Sequence, residues 1–358
     1  MHKTICLRIL KWLGIFLIVL LLLVFLVLLP IAAVKVYDSV FQVRIQTDPE
    51  DAFTAAHYDG LTVENVSFSA RQGHTLAGYK YRMEGTENPL GVLVIAHGFG
   101  CGGHCSYMPL IAWFADHGYL VFGYDATAND NSEGDVVGGF PQGVMDLDYA
   151  IRYVKSDEDW AGLPIYLMGH SWGAYSVGNV LNFHPDVAGA VMFAGFDYTT
   201  QILRQQGEEY VGDLVGLMLP YAKAYEWLKF GKYTAVSTTG GINASGAHVM
   251  IVHSTDDGTV HYDTGYGPLY EKNSGNPRVH FVTYTDRGHN YLYYSPEAMA
   301  YRASLQPVYQ QFLSDTGLPD NGETKAAFRD SVDYRACHGL DEELMNRILT
   351  MFAEAVQK

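Results

Sequence analysis

The chain reads PIYLMGHSWGAYSVGNVLNF from residue 164 to residue 183. The first residues of this stretch are typical of a buried strand, and its last ten can form a helix. The turn between them contains Gly169, Ser171 and Gly173 in the pattern G-x-S-x-G. Such a turn strains the backbone of its serine, and it needs glycines because strand and helix pack too closely for side chains. We therefore expect the Ser171 hydroxyl at the carboxyl edge of a sheet, although ordinary glycine-rich turns share the pattern.

Other short apolar runs occur along the chain, separated by longer segments with helical periodicity. The runs are GVLVIA (91–96), YLVFGYD (119–125), PIYLMG (164–169), VAGAVMFAG (187–195), HVMIVH (248–253) and RVHFVTYT (278–285). Continuous apolar strands that alternate with helices indicate a mostly parallel central sheet with helices on both faces. Before them, VENVSFSA and TLAGYKYR alternate in polarity around the turn at 71–74, which predicts an antiparallel hairpin. The predicted fold class is therefore α/β.

One interval departs from this alternation. Residues 196–247 place 52 residues between two predicted strands, where a simple crossover needs far fewer. We interpret the interval as an inserted helical cap, and an ordinary crossover helix with a long loop is the alternative. Within the cap, residues 213–230 are expected to form two helices interrupted at Pro220, and residues 237–246 to form a loop.

Two further helices follow from amphipathic patterns. Residues 145–157 place Met145, Tyr149, Ile151 and Val154 where they can face the sheet. After a polar break at residues 314–325, residues 339–356 have the pattern of an amphipathic carboxy-terminal helix.

A serine at its ordinary pKa is a weak nucleophile and needs a base, which is itself oriented by a carboxylate. The chain offers both groups just beyond predicted strands, because Asp256 and Asp257 follow the run 248–253 and His289 follows the run 278–285. Serine, aspartate and histidine in that order match the triad order of this architecture. We prefer Asp257 because its D-x-x-V spacing is the usual one. Adjacent residues at a strand end point in different directions, so Asp256 stays an alternative.

The loop after the run 91–96 reads His97-Gly98-Phe99-Gly100, and its glycines let the backbone approach a ligand closely. We expect the amides of Phe99 and Trp172 to converge on the negative charge that develops on a substrate oxygen. His97 is expected to hold this loop and not to act as the base.

Taken together, these motifs resemble the serine-hydrolase branch of the α/β-hydrolase superfamily. The resemblance runs from Val63 to Leu313 and rests on HGFG, GHSWG, STDDGTV and RGH, each at a predicted strand end. It implies Ser171 as the nucleophile, His289 as base and then acid, and Asp257 as the orienting carboxylate. The two amides named above are then the oxyanion donors, and no cofactor is implied. The sequence CGGHC after HGFG departs from the common pattern.

The CGGHC sequence also contains two of the four cysteines, Cys101 and Cys105. They could form a disulfide if the loop turns tightly, and free thiols are the alternative. His104 lies beside Cys105, but this spacing matches no usual zinc pattern, so no metal is expected.

Residues 12–34 form an uncharged apolar stretch of 23 residues. At about 1.5 Å per residue, a helix of this length crosses a hydrocarbon core of about 30 Å. We interpret the stretch as a transmembrane anchor. A cleaved signal peptide is the alternative, but it normally has a shorter apolar region and a small-x-small cleavage site. Because Lys3, Arg8 and Lys11 precede the stretch and only Lys35 follows it closely, the amino terminus is expected in the cytoplasm and the body outside the cell membrane.

The predicted organisation therefore has five parts. They are a cytoplasmic amino terminus (1–11), a transmembrane helix (12–34), a juxtamembrane segment (35–55), an α/β-hydrolase domain (56–315) that includes the cap (196–247), and a carboxy-terminal helical extension (316–358).

Composition limits the partners of the chain. The formal net charge is −16, with 23 basic and 39 acidic residues. Four of the basic residues and no acidic residue fall within the first 35 positions, so the body is more acidic still. A body of this charge does not favour nucleic acid as a partner.

The expected activity is hydrolysis of a carboxylic ester through an acyl-enzyme intermediate. The apolar cap and the anchor favour an acyl or lipid-like substrate. The first alternative is a serine peptidase of the oligopeptide-cleaving type, and the second is a catalytically idle extracellular binding module, since this fold hosts many functions.

Overall fold

Eight strands form a single sheet in the computed structural model, which describes residues 2–49 and 51–357. The strands are β1 (Leu61–Ser69), β2 (Thr75–Met83), β3 (Val92–Ala96), β4 (Leu120–Tyr124), β5 (Ile165–His170), β6 (Gly189–Phe193), β7 (His248–Ser254) and β8 (Val279–Tyr284). Their spatial order is β1-β2-β4-β3-β5-β6-β7-β8. The strands from β3 to β8 run parallel, and β2 pairs antiparallel with both β1 and β4. The predicted hairpin and the six predicted strands are confirmed.

The core lies on both faces of this sheet. In β3, the side chains of Val92, Val94 and Ala96 pack on one face, and those of Leu93 and Ile95 pack on the other. Successive residues of a strand point to opposite faces, so a strand buried on both sides needs apolar residues at every position. This is why the strands are continuous apolar runs in the sequence.

Helices cover both faces of the sheet and extend from its ends. They are α1 (His2–Leu23), α2 (Leu29–Phe41), α3 (Met108–Asp116), α4 (Pro141–Ser156), α5 (Trp172–Val180), α6 (Thr199–Val211), α7 (Val215–Phe230), α8 (Thr238–Ala244), α9 (Tyr266–Asn273), α10 (Pro296–Thr316), α11 (Gly322–Arg329), α12 (Tyr334–Cys337) and α13 (Glu342–Val356). The predicted helix at 145–157 lies within α4 except for its last residue, and Met145, Ile151 and Val154 are buried. The α/β class is confirmed.

Three helices, α6, α7 and α8, lie between β6 and β7, where the sequence predicted a helical insertion. The predicted break at Pro220 is wrong, because α7 continues through this residue. Pro220 is exposed near the amino end of the helix and removes only the hydrogen bond to the Gly216 carbonyl.

The predicted loop at residues 237–246 is also wrong, since most of it forms α8. The Ser237 side chain caps this helix by accepting a hydrogen bond from the Gly240 amide at 2.9 Å. Gly241 lets α8 approach α5 closely, because a Cβ atom there would lie 2.2 Å from the Gly178 carbonyl oxygen. The glycines that suggested a loop therefore serve helix packing.

The carboxy-terminal part is helical, as expected. The polar break is shorter than predicted, because α10 extends to Thr316 and α11 begins at Gly322. The predicted final helix corresponds to α13, whose amino end is capped by the Asp341 side chain. The residues Met1, Glu50 and Lys358 of the predicted segments lie outside the described residues.

The amino-terminal helix is the exposed part of the molecule. Its segment from Ile5 to Phe41 is long and apolar enough to cross a membrane, judged by length and composition. A π-helical turn at Val24–Leu28 joins α1 to α2. At its far end, Tyr37 and Phe41 of α2 pack with Ala222 of the cap helix α7.

Candidate active site

The predicted nucleophile lies on a sharp turn between β5 and α5. Ser171 has φ 54° and ψ −114°, a left-handed conformation that non-glycine residues rarely adopt. A Cβ atom on Gly169 would lie 2.4 Å from the Gly173 carbonyl group, and one on Gly173 would lie 2.0 Å from the Ala96 carbonyl oxygen. Both glycines are therefore required by close backbone packing, as the G-x-S-x-G pattern predicts.

The structure brings Asp257 and His289 together. The Nδ1 atom of His289 lies 2.8 Å from Oδ2 of Asp257. The other carboxylate oxygen, Oδ1, accepts hydrogen bonds from the amides of Thr259 at 2.8 Å and Val260 at 2.9 Å. Burial by itself would raise the pKa of Asp257, but the hydrogen bonds from His289 and the two amides outweigh it and lower the pKa. Asp257 is therefore an ionised carboxylate that fixes the orientation of the imidazole.

The alternative carboxylate, Asp256, makes different contacts. It accepts hydrogen bonds from the Ser254 hydroxyl and from the Gly288 amide, the latter at 2.9 Å. These contacts hold the loop that precedes His289, but they do not reach the imidazole ring.

Ser171 and His289 both line one cavity of about 650 Å³. Within the described residues, the Ser171 hydroxyl makes no hydrogen bond to His289. Such contacts commonly tighten only when substrate binds. The arrangement can nevertheless support proton transfer from a serine to an imidazole across this cavity.

The two residues whose amides are the predicted oxyanion donors have side chains in contact. The rings of Phe99 and Trp172 pack edge to face with their centroids 5.9 Å apart. Trp172 is the first residue of α5, where backbone amides have no intrahelical acceptor. His97 is buried and holds the loop, because its Nε2 atom accepts a hydrogen bond from the Ala126 amide at 2.9 Å and its Nδ1 atom lies 2.9 Å from the Gly98 carbonyl oxygen.

A hydrogen-bonded chain that the sequence did not reveal connects this loop to His289. The Gly98 amide donates to the Tyr107 hydroxyl at 3.0 Å, which lies 3.0 Å from Nδ1 of His170. The Nε2 atom of His170 lies 2.9 Å from the carbonyl oxygen of His289. Burial and the neighbouring His289 lower the pKa of His170 to about 3, so its ring is neutral. The ring then accepts from Tyr107 and donates to His289, which positions the backbone of the base.

The cavity has a wall that the sequence did not predict. Residues of α2, namely Val36, Tyr37, Val40 and Phe41, line it together with the catalytic loops. The rings of Phe41 and Phe99 are in contact with their centroids 5.6 Å apart. A tyrosine-rich segment after His289 also contributes, through Tyr291, Tyr293 and Tyr294. The amino-terminal helix is therefore part of the candidate site.

A buried acid joins α2 to the cap. Glu226 of α7 accepts hydrogen bonds from the Tyr37 hydroxyl at 2.9 Å and from the Thr199 hydroxyl at 2.7 Å. Burial raises the pKa of Glu226 from its usual 4.5 to about 7, although these hydrogen bonds oppose the shift. The Glu226 carboxyl group thus binds its proton more tightly in the folded chain than in the unfolded chain.

We therefore expect ionisation of Glu226 to lower the free energy of unfolding as the pH rises from about 4.5 to about 7. The variant Glu226→Gln cannot ionise, so it should not show this loss. The variant mimics the protonated acid, so its unfolding temperature at pH 8 should exceed that of the wild type. The corresponding gain in the free energy of unfolding is up to about 3 kcal/mol. Thermal unfolding of the full chain in detergent, measured from pH 5 to pH 8, checks this. Glu209→Gln is the matched control because Glu209 is exposed on α6. An unchanged pH profile for Glu226→Gln would contradict the expectation.

The CGGHC loop carries neither a disulfide nor a metal-binding arrangement. Cys101 and Cys105 are free thiols. Both ring nitrogens of His104 have protein partners, since Nδ1 lies 2.8 Å from Oδ1 of Asp125 and Nε2 lies 2.8 Å from the Tyr81 hydroxyl. Asp125 thereby holds this loop.

One group of side chains elsewhere could hold a metal ion. His248, His280 and Glu354 have potential ligand atoms within 4.8 Å of one another. His248 begins β7, whereas the candidate catalytic residues follow the carboxyl ends of their strands. This group is therefore separate from the cavity.

Comparisons with known proteins agree with the fold. Residues 87–231, fewer than half of the chain, match the family described as serine aminopeptidase, S33. This segment contains Phe99 and Ser171, whereas Asp257 and His289 lie beyond it. No curated protein matches the chain.

The structure is also similar to solved structures. An esterase of Pyrococcus furiosus has 17% identity over 74% of this chain and 94% of its own, with a TM-score of 0.53. An acylaminoacyl peptidase of Pyrococcus horikoshii has 16% identity over 65% of this chain and 38% of its own, with a TM-score of 0.48. At 17% identity, the likeness to the esterase shows a shared fold and nothing more. With its mostly parallel eight-stranded sheet and the strained serine turn after β5, the chain has the α/β-hydrolase fold.

Proposed function

We propose that this chain is a membrane-anchored serine hydrolase that cleaves carboxylic esters with acyl or lipid-like chains. The observation that carries the proposal is the hydrogen bond between Asp257 and His289, because the imidazole that it orients lines the same cavity as the strained Ser171. A nucleophile, a base and an orienting carboxylate are the groups that acyl transfer requires. No cofactor takes part in this proposal.

In the proposed reaction, His289 takes the proton of Ser171 as the serine oxygen attacks the ester carbonyl. The amides of Phe99 and Trp172 stabilise the tetrahedral oxyanion, and each such donor typically contributes about 2.7–4 kcal/mol to lowering the barrier. The imidazolium then gives its proton to the leaving alcohol, which departs and leaves an acyl group on Ser171. Water attacks this acyl group by the reverse sequence and releases the carboxylic acid.

The proposal includes an uncleaved anchor with its amino terminus in the cytoplasm and the body outside the cell membrane. The charge distribution around residues 12–34 supports this orientation. The contribution of α2 to the cavity supports retention of the helix, because removal of the amino-terminal segment as a signal peptide would expose or delete a wall of the site.

A serine peptidase is the second candidate, and the match to a family described as serine aminopeptidase favours it. An aminopeptidase must bind a positively charged amino terminus, which usually requires carboxylates in the substrate cavity. Apart from the triad candidates, the described lining residues include one carboxylate, Asp51, and one guanidinium group, Arg302, among mainly apolar side chains. This lining supports an acyl substrate more than a peptide. The idle binding module has no comparable support.

The test is a rate comparison on the full chain in detergent. We expect p-nitrophenyl esters to be hydrolysed, with an optimum at a medium or long acyl chain because the cavity is largely apolar. Peptides that release a free amino-terminal residue, including proline-containing ones, serve as the competing substrates. Faster release from peptides would favour the peptidase. Inertness towards both substrate series would favour the binding module.

A further inference from the structure

The cap contacts the apolar amino-terminal helix well inside its uncharged stretch. The Tyr221 hydroxyl of α7 donates a hydrogen bond to the Phe25 carbonyl oxygen at 2.6 Å. Phe25 precedes Val34, the last residue of the uncharged stretch, by nine positions. At about 1.5 Å per residue, this contact lies about 14 Å inward from the outer end of the stretch.

The chemistry of this contact suits a nonpolar surrounding. In the π-helical turn, the Leu29 amide donates to the Val24 carbonyl, five residues earlier. The next residue in that register, Pro30, has no amide hydrogen to donate to Phe25. In a lipid environment a free carbonyl is costly, because no water can replace the missing donor. Tyr221 supplies that donor from the cap.

Tyr221 lies in the middle of an apolar stripe along the cap. The stripe consists of Leu214, Leu217, Tyr221, Ala224 and Leu228, whose spacing of three and four residues places them on one face of a helix. The leucines are unusually exposed, at 59% for Leu214, 49% for Leu217 and 74% for Leu228. An exposed stripe of this kind marks an interaction surface.

Exposed residues of α2 and α6 line one side of the cavity, which we call its mouth. Val36 and Val40 of α2 and Tyr210 of α6 line the cavity and are also exposed. Val36 follows the last residue of the uncharged stretch by two positions, which is about 3 Å along a helix. The mouth is therefore level with the outer end of the stretch.

We propose that the stripe on α7 lies in the outer half of the lipid bilayer, and that ester substrates reach Ser171 sideways from the bilayer, between α2 and α6. The substrates are esters with long acyl chains that are dissolved in the membrane. The route rests on the proposed hydrolase function, whereas the position of α7 rests only on the proposed membrane anchor. The occupant of the stripe is the bilayer and not a partner protein, because the stripe is continuous with the membrane helix through Tyr221 and Phe25.

The position of α7 is tested by fluorescence quenching. Full-length Leu228→Trp is placed in nanodiscs made with brominated or unbrominated phosphatidylcholine, and its emission is compared with that of the wild type. Leu90→Trp is the matched control, because Leu90 is 57% exposed and precedes β3 at the opposite end of the sheet from Ser171. We expect brominated lipid to quench at least half of the added emission for Leu228→Trp and none for Leu90→Trp. Equal behaviour of the two variants would overturn the proposal.

The route is tested with two substrates. We expect the double variant Leu217→Asp and Leu228→Asp to hydrolyse a long-chain ester dissolved in nanodiscs about tenfold more slowly than the wild type, because charged groups resist burial in lipid. Its rate on a soluble acetyl ester should be unchanged, as should both rates for Leu90→Asp. Equal losses on both substrates, or no loss on either, would overturn the route.

These outcomes separate the two proposals. If the wild type hydrolyses neither ester, the hydrolase function fails and the route fails with it. The quenching result still decides the position of α7 in that case. If the wild type hydrolyses both esters and Leu228→Trp is not quenched, the bilayer proposal fails and the hydrolase function stands.

Discussion

Replacement of Ser171 by alanine is expected to lower ester hydrolysis by about 10⁴-fold or more and to leave the fold intact. The magnitude follows from triads in which removal of the nucleophile leaves only the contributions of substrate binding and the oxyanion donors. The fold should survive because the substitution removes one oxygen from a residue whose hydroxyl makes no hydrogen bond to His289. Alanine at this left-handed φ of 54° is strained to the same degree as serine.

Labelling with a fluorophosphonate probe measures this directly, because the probe reacts only with an activated serine. The wild type should be labelled and Ser171→Ala should not. Ser106→Ala is a useful comparison, because Ser106 also lines the cavity but donates its hydroxyl to the Cys101 carbonyl oxygen at 3.0 Å. That variant should keep its label. Persistent labelling of Ser171→Ala would assign the nucleophile elsewhere, and an unlabelled, folded wild type would favour the binding module.

The parts of this structure that the sequence predicted are those encoded over short distances. A strand buried on both faces must be apolar at every position, so β3, β5 and β7 are visible as runs of five to seven residues. The turn at Ser171 is similarly local, because its two glycines are needed where β5 and α5 touch. The Asp257 and His289 positions followed from strand ends, since parallel strands bring their carboxyl ends to one edge.

The parts that were missed depend on contacts between distant segments. Tyr37 and Glu226 are 189 positions apart, and no local pattern relates an amino-terminal helix to a buried acid in the cap. The chain from Tyr107 through His170 to His289 likewise joins three separate segments. The errors at Pro220 and Gly241 have the opposite origin. There, local rules that favour a break were overruled by tertiary packing and by exposure of the affected side of the helix.

Asp257→Asn is expected to lower turnover by about 10³- to 10⁴-fold, whereas Asp256→Asn should lower it by less than about tenfold. An asparagine at position 257 can turn its amide nitrogen towards His289, which then favours the wrong tautomer of the ring and no longer stabilises the imidazolium. The other carboxylate oxygen of Asp257 accepts hydrogen bonds from the Thr259 and Val260 amides. Asparagine has only one oxygen, so it cannot accept from these amides and from His289 at the same time. Steady-state rates on one ester, at a pH where the wild type is most active, provide the comparison.

The pair makes a matched control because the residues are adjacent and the substitutions identical. Asparagine at position 256 keeps an oxygen that can accept hydrogen bonds from the Gly288 amide and the Ser254 hydroxyl, so the loop before His289 is retained. Labelling by the fluorophosphonate probe should slow in parallel with turnover for Asp257→Asn, because both require the imidazole to accept the Ser171 proton. Equal losses for the two variants, or a larger loss for Asp256→Asn, would mean that Asp256 orients the base when substrate is bound. The short contact between Asp257 and His289 would then be structural only.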